Sequence, residues 1–183
     1  MIGNIERDCN SARKYWHFVK LMGRSASHIA LECALQCHPN MCLISEEVQE
    51  KDMSLNDVVD QICKVIAYRA DRGMNYGVVL VPEGLIEFIP AIGRLIDELN
   101  DLLAFHGDEY KYLSTGEQRE YILNHLSHKN KTTFETLPSD VARQLSLDRD
   151  PHGNVQVSLI ETEKLLSRMC THRLAKWKKE GKF

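Results

Sequence analysis

The sequence predicts an α/β fold, in which a parallel-sheet unit with flanking helices carries an additional helical segment. Through the first 106 residues, short apolar and β-branched runs alternate with amphipathic runs of helical period. That alternation builds a parallel sheet with helices on its faces. After His106 the β-branched runs give way to amphipathic segments. We therefore predict an α/β unit at residues 1–106 and a helical hairpin insertion at residues 107–183.

The α/β part opens with a helical segment, a strand and a second helix. Residues 2–13 carry apolar or small residues at helical spacing. The run Tyr15–Leu21 is rich in aromatic and β-branched residues, which suit a pleated, half-buried surface. From Ser25 onward apolar residues recur at three- and four-residue spacing, and the hydroxyls of Ser25 and Ser27 are suited to capping free amides. The turn Met22-Gly23-Arg24 joins this strand to this helix.

Two more strands and two more helices are predicted before residue 106. The runs at residues 40–47 (NMCLISEE) and 76–84 (YGVVLVPEG) have the length and bounds of buried strands. A helix is predicted over residues 54–73, because Ser54 is suited to the N-cap and Gly73 to the end. Residues 88–105 have the spacing of a further helix.

Polar residues follow each of these strands. They are Met22-Gly23-Arg24, Ser45-Glu46-Glu47 and Glu83-Gly84. Parallel sheets bind ligands at the carboxyl ends of their strands, so the three groups are expected in one row. At the first of them, free N–H groups, a helix dipole and a guanidinium together favour an anion. The structural alternative is an ordinary glycine turn whose arginine reaches solvent.

Composition limits the functional classes. The chain has 183 residues, of which 43% are hydrophobic and 27% charged, as is typical of globular proteins with a real core. A net charge of -3 and a pI of about 6.2 argue against a nucleic-acid partner. The basic ending RLAKWKKEGK is interpreted as compensation of a helix dipole. No apolar run approaches the roughly 20 residues of a membrane span, so we expect no membrane partner and a cytoplasmic location.

The six cysteines lack the paired short spacing of a zinc ribbon, and reduced thiols are expected. Cys33, Cys37 and His38 could supply three ligands to a metal ion, but a fourth is not evident. We predict that this chain holds no metal ion.

Three stretches together closely resemble one enzyme family. They are residues 14–40 (KYWHFVKLMGRSASHIALECALQCHPN), residues 77–90 (GVVLVPEGLIEFIP) and residues 147–166 (LDRDPHGNVQVSLIETEKLL). They resemble the long, pyrophosphate-dependent 6-phosphofructokinases, or pyrophosphate–fructose 6-phosphate 1-phosphotransferases, and the resemblance covers essentially the whole chain. The Met-Gly-Arg turn and the Pro-Glu-Gly strand end are shared across phosphofructokinases, whereas the aromatic strand and the DPHGNVQVS connection are characteristic of the long class.

The resemblance implies a function. The family reversibly transfers a phosphoryl group from pyrophosphate to the 1-hydroxyl of fructose 6-phosphate, with Mg²⁺ neutralising charge. Residues 1–106 would form the sugar-phosphate-binding unit of a homo-oligomer in which neighbouring subunits share a site. In that site a turn lies against the sugar, a glutamate hydrogen-bonds its hydroxyls, and a Lys-Tyr pair reaches the phosphate bound by the neighbouring subunit. The matching residues are Met22, Gly23, Arg24, Glu83, Lys14 and Tyr15. For Tyr15 strand packing stays open as an alternative, and for Glu83 a solvated strand end.

Other family motifs do not occur in this chain. The family's glycine-rich donor loop and its Thr-Ile-Asp-Gly-Asp motif, which holds the catalytic aspartate, are missing, as is the later Gly-Tyr-Glu-Gly-Arg motif. We therefore expect an internal or truncated segment that contributes neither the catalytic residue nor the Mg²⁺ ligands and is inactive alone. Because the donor-discriminating residues are also missing, an ATP-dependent phosphofructokinase stays open. So does a non-catalytic sugar-phosphate-binding or regulatory module.

Overall fold

A computed structural model describes residues 1–23, 27–110, 112–147 and 154–182 of the chain. The chain divides into two compact units. Unit 1 comprises Met1–Leu85 and Thr162–Phe183, and unit 2 comprises Ile86–Glu161. The helices are, in chain order, α1 (Ile2–Ala12), α2 (His28–Cys37), α3 (Ser45–Glu50), α4 (Leu55–Ala70), α5 (Pro90–Tyr110), α6 (Thr115–His125), α7 (His128–Thr136), α8 (Ser139–Leu147) and α9 (Thr162–Lys179). Within the described residues, none of them has the length and apolar character that crossing a membrane requires.

Unit 1 is built on a parallel sheet of β1 (Trp16–Leu21), β2 (Met41–Cys42) and β3 (Gly77–Pro82), in the order β1-β3-β2. Every residue of β3 is buried: the strand has a hydrogen-bonded neighbour on each edge, and its Val78 and Leu80 pack against a helix. Its run of β-branched and apolar residues therefore needs no polar face. The predicted α/β class is confirmed.

The side chains of β3 alternate between the two faces of the sheet. Val78 and Leu80 form a core with Cys9 of α1, and residues of α2 pack against that core. Because successive strand residues point to opposite faces, Val79 and Val81 lie on the other side of the sheet. Helix α9 packs against β1 and against α4.

The second predicted strand is mostly not a strand. Pairing with β3 is confined to Met41 and Cys42, after which the N–H of Leu43 donates to the carbonyl of Leu80 at 3.0 Å. Helix α3 then begins at Ser45, so the prediction of a strand over residues 40–47 was wrong in its second half. Two glutamates in the first turn stabilise this helix start.

The predicted helical hairpin is also different in the structure. Residues 107–183 form several helices, and the last of them, α9, returns to unit 1. There the thiol of Cys63 in α4 donates to the carbonyl of Cys170 in α9 at 3.8 Å, and Asp60 pairs with Arg173. The units therefore do not coincide with a boundary at residue 106, and the functional division into 1–106 and 107–183 stays a prediction. Most of the predicted turn-rich connection, residues 148–153, lies outside the described residues.

In unit 2, Glu98 of α5 holds the start of α7. Its carboxylate accepts hydrogen bonds from the N–H of Ser127 at 2.7 Å, from the Ser127 hydroxyl at 2.8 Å and from the Asn130 amide. Burial raises the pKa of Glu98, but the bonds from Ser127 and Asn130 outweigh burial, and the pKa lies below its ordinary value. The ionised carboxylate thus stabilises this unit.

We predict that Glu98→Gln lowers the free energy of unfolding near neutral pH by about 0.5–1.5 kcal/mol, the net contribution of a typical hydrogen bond. Since the folded pKa is depressed, the contribution of the carboxylate is complete above the ordinary pKa near 4.5 and is lost as the pH falls through the folded pKa. Urea unfolding at a series of pH values should show the difference from wild type shrinking in acid. Asp97→Asn, an exposed carboxylate one residue earlier, is the control; equal effects of the two variants would contradict the prediction.

Candidate functional site

The carboxyl ends of β1 and β3 meet at one edge of the sheet. The register sets Leu21 opposite Pro82, so Met22 and Glu83 are the next residues on the two strands. The N–H of Gly23 donates to Oε2 of Glu83 at 2.9 Å. The structure therefore brings together three of the predicted site residues, Met22, Gly23 and Glu83, although they are about 60 positions apart in the sequence.

Glu83 is buried, with 8% of its surface exposed, and it opens a short 3₁₀ helix over Glu83–Ile86. Burying a carboxylate is costly unless it accepts hydrogen bonds, and the Gly23 N–H supplies one. The alternative of a solvated strand end does not describe this position. Because Gly23 uses Oε2, Oε1 is the Glu83 oxygen suited to a hydroxyl of a ligand.

Gly23 has a backbone conformation that favours glycine, with φ of +158°. A Cβ at this position would lie 2.8 Å from Cδ1 of Ile29, so a larger residue needs both strain and a shift of that side chain. The neighbouring Met22 is 77% exposed. Arg24, the third residue of the predicted turn, lies outside the described residues.

The start of α2 is held by a carboxylate that the sequence did not single out for this role. The N–H of Ser27, the N-cap residue, donates to Oε1 of Glu46 at 2.9 Å. The Ser27 hydroxyl makes no cap bond and instead accepts the N–H of Ser45 at 2.8 Å. The prediction that Ser27 caps this helix with its own side chain was wrong, and Ser25 lies outside the described residues.

Electrostatics at this junction are set by the protein's own carboxylates. The bond from Ser27 N–H, followed by one from the Glu46 backbone, lowers the pKa of the Glu46 carboxyl, so it is ionised near neutral pH. Gly23 and Ser27 both donate their N–H groups to glutamates. For these two groups, a carboxylate of the chain occupies the position that the sequence assigned to a bound anion. The signal that pointed to Glu46 was its place at a predicted strand end.

Lys14 and Tyr15 lie at the opposite end of β1. Met22 follows Tyr15 by seven positions, which corresponds to about 23 Å at 3.3 Å per residue. The Tyr15 carbonyl accepts the Gly77 N–H at 3.3 Å and the Cys9 thiol at 3.7 Å. The structure therefore does not bring this pair to the Gly23–Glu83 edge.

Tyr15 has an unusual conformation. It precedes β1, its surface is 72% exposed, and its φ is +65°. Strand packing is thus not its role. A left-handed conformation is strained for a bulky residue and costs roughly 1–3 kcal/mol, and such strain is concentrated at binding sites.

A metal site requires several side chains that could bind the ion together. Across the described residues, no group of three or more His, Cys, Asp or Glu side chains is placed to hold one. The six cysteines, all within those residues, carry free thiols. The described residues therefore do not form a Mg²⁺ site.

Comparison with known proteins identifies the family. The family described as Phosphofructokinase matches residues 1–134. The chain belongs to the phosphofructokinase family. Among its relatives is a pyrophosphate–fructose 6-phosphate 1-phosphotransferase of Porphyromonas gingivalis, 61% identical over 183 residues, and one of Treponema pallidum, 55% identical over 184 residues. A third is a subunit beta 2 of this phosphotransferase in Arabidopsis thaliana, 52% identical over 183 residues.

The phosphofructokinase chain is short in comparison with these relatives. Each of the three alignments covers 100% of the chain but 31% to 33% of the relative. The chain thus spans about a third of the length of the relatives it matches. The resemblance inferred from the three quoted stretches is confirmed at the level of the family.

We predict that Glu83→Ala lowers the free energy of unfolding of this phosphofructokinase chain by about 1.5–3 kcal/mol, the range for a hydrogen bond to a charged group. Glu83→Gln keeps an oxygen that can accept the Gly23 N–H, so its loss should be smaller. Urea unfolding measures both. Glu50→Ala, at the exposed end of α3, is the control. A loss no larger than that of the control would mean that the Gly23–Glu83 contact does not hold this edge.

Proposed function

We propose that this chain is the fructose 6-phosphate-binding part of a pyrophosphate-dependent phosphofructokinase. The enzyme would transfer a phosphoryl group reversibly from pyrophosphate to the 1-hydroxyl of fructose 6-phosphate and yield fructose 1,6-bisphosphate. The observation that carries the proposal is the pairing of Gly23 with Glu83 at the carboxyl edge of the sheet. It supports a sugar site in a chain whose relatives bear the name of this phosphotransferase.

The chemistry of this edge suits sugar hydroxyls better than phosphate. A carboxylate accepts hydroxyl protons, and Glu83 has an oxygen beyond the one that Gly23 uses. A phosphate here would be repelled by the carboxylates of Glu83 and Glu46. These carboxylates already accept the N–H groups of Gly23 and Ser27, respectively. We assign sugar contacts to Met22, Gly23, Arg24 and Glu83.

The sugar phosphate requires a cation, and we assign that role to Lys14 with Tyr15 beside it. These residues lie about 23 Å along β1 from the sugar edge, at 3.3 Å per residue, which is too far for one molecule of fructose 6-phosphate to span. The distance supports a homo-oligomer in which Lys14 and Tyr15 of one copy complete the site of another. Both residues are exposed, as such an arrangement needs.

Phosphoryl transfer itself would depend on parts of the enzyme outside this chain. Mg²⁺ supplies neutralisation of the charge that develops on the transferring group. We propose that the catalytic base, the donor loop and the Mg²⁺ ligands belong to the remaining length that the relatives have. The residues of this chain bind and orient the acceptor sugar. Free thiols suit a reducing compartment, and we propose the cytoplasm.

The donor is tested with a protein that contains this chain at the length of its relatives. We expect turnover of fructose 6-phosphate with pyrophosphate and Mg²⁺, and little with ATP. Purified protein should be assayed with each donor by coupling the formation of fructose 1,6-bisphosphate to an absorbance change. A strict requirement for ATP would reject the pyrophosphate assignment. Binding of fructose 6-phosphate without turnover by either donor would favour a non-catalytic module.

We predict that Arg24→Ala in that protein weakens fructose 6-phosphate binding by about 1.5–3 kcal/mol, the range for hydrogen bonds to charged groups. Lys14→Ala should have a similar effect, because it removes the point charge for the phosphate. The KM for fructose 6-phosphate measures both effects, and Lys64→Ala, an exposed lysine of α4, is the control. Unchanged KM values would reject these roles. A monomeric, fully active enzyme would refute the shared site.

A further inference from the structure

We propose that Glu46 is a positioning residue for the fructose 6-phosphate site. It touches no substrate in this proposal and acts by holding the start of α2, while Glu83 holds Gly23. The inference rests on the proposed function, because it assigns Glu46 to the same sugar site. It adds a residue that the sequence resemblance did not assign.

Helix α2 has no side-chain cap of its own. This helix has no acidic residue in its first turn, and its N-cap residue Ser27 makes no side-chain cap bond. Free N–H groups and the helix dipole at such an end call for a nearby negative charge. Glu46 supplies that charge from another element: its Oε1 accepts the Ser27 N–H at 2.9 Å.

Two opposed hydrogen bonds, rather than one, join Ser27 to the segment after β2. Ser27 N–H donates to Glu46, and Ser45 N–H donates back to the Ser27 hydroxyl at 2.8 Å. Ser27 is 3% exposed and Ser45 is 0% exposed, so water does not compete with the bond between them. Two bonds in opposite directions fix both the distance and the orientation between α2 and the segment after β2.

The position of these two bonds relates them to the sugar edge. Gly23 and Ser27 are four residues apart, and each donates its N–H to a glutamate from a different strand end. Glu83 comes from the end of β3, and Glu46 from the segment that follows β2. Gly23, after β1, and Ser27, at the start of α2, are therefore each anchored to a glutamate. Small displacements of binding groups are costly for a reaction that depends on orientation, so the second anchor matters for the sugar.

Glu47 provides a matched comparison on the same helix. It is the next residue of α3, it is also an exposed glutamate, and it pairs with Lys51 within α3. Loss of the Glu47 carboxylate removes an ion pair on the surface of α3, and loss of the Glu46 carboxylate removes the anchor of α2. The two substitutions are chemically identical, but only the one at Glu46 removes the hydrogen bond to Ser27.

The test uses the protein at the length of its relatives and the variants Glu46→Ala, Glu46→Gln and Glu47→Ala. Initial rates are measured with fructose 6-phosphate varied at saturating pyrophosphate, and then with pyrophosphate varied. For Glu46→Ala we expect the KM for fructose 6-phosphate to rise by about tenfold, because displaced binding groups hold the sugar less well, while the KM for pyrophosphate stays within about twofold. Glu46→Gln keeps an acceptor oxygen and should show a smaller rise. Glu47→Ala should behave as wild type.

Thermal unfolding of the same variants separates positioning from stability. A lower midpoint for Glu46→Ala with both KM values unchanged would mean a purely structural role and would overturn the proposal, as would equal changes in both KM values. If Glu46→Ala does not fold, Glu46→Gln and Ser27→Ala provide the test, and no selective rise in the sugar KM for either would overturn it. An inactive wild type would defeat the proposed function itself. An active wild type with an unaffected Glu46→Ala would defeat this inference alone.

Discussion

The parallel pairing of β3 with both of its neighbours is the constraint on which the rest of unit 1 depends. Because β1 and β2 run in the same direction as β3, the segments that follow all three strands arrive at one edge of the sheet. The complete burial of β3 fixes this arrangement, since a slip by one residue would turn Val78 and Leu80 away from the core that they form with Cys9. Convergence of Gly23, Glu46 and Glu83 is a consequence of that register.

At this edge of the sheet, carboxylates of the protein accept two of the backbone N–H groups that could otherwise bind an anion. The sequence pattern of a glycine turn before a helix is shared by many anion sites, and the physics of a helix N-terminus is the same in all of them. Here the Gly23 and Ser27 N–H groups are already bound by Glu83 and Glu46. In the site that we propose, a glutamate oxygen would accept a sugar hydroxyl, and the positive charge for the phosphate would come from Lys14, which is exposed at the opposite end of β1.

Helix α9 belongs to unit 1 although most of unit 1 precedes it by more than 75 residues in the sequence. Its amphipathic pattern indicates a helix but no packing partner, so the sequence alone places this segment with the helices that precede it. In the structure α9 packs on α4 through buried contacts such as that between Cys63 and Cys170, and through the pairing of Arg173 with Asp60. Long-range packing of this kind depends on complementary surfaces rather than on local propensity, and a periodic pattern carries no information about it.

The sequence by itself determined the α/β class, the helix that begins after Ser54, the buried strand β3 and the resemblance that pointed to Glu83, because these depend on local period, capping and motif. It did not determine the short extent of β2, because the apolar run continues through Ile44 although regular pairing ends at Cys42 and helix α3 begins at Ser45. Nor did it determine the roles of Ser27 and Glu46, since a helix start can accept a cap from its own side chain or from a distant carboxylate with similar energy. Which of the two occurs depends on what the sheet brings within 3 Å of the N–H, and only the tertiary structure decided that.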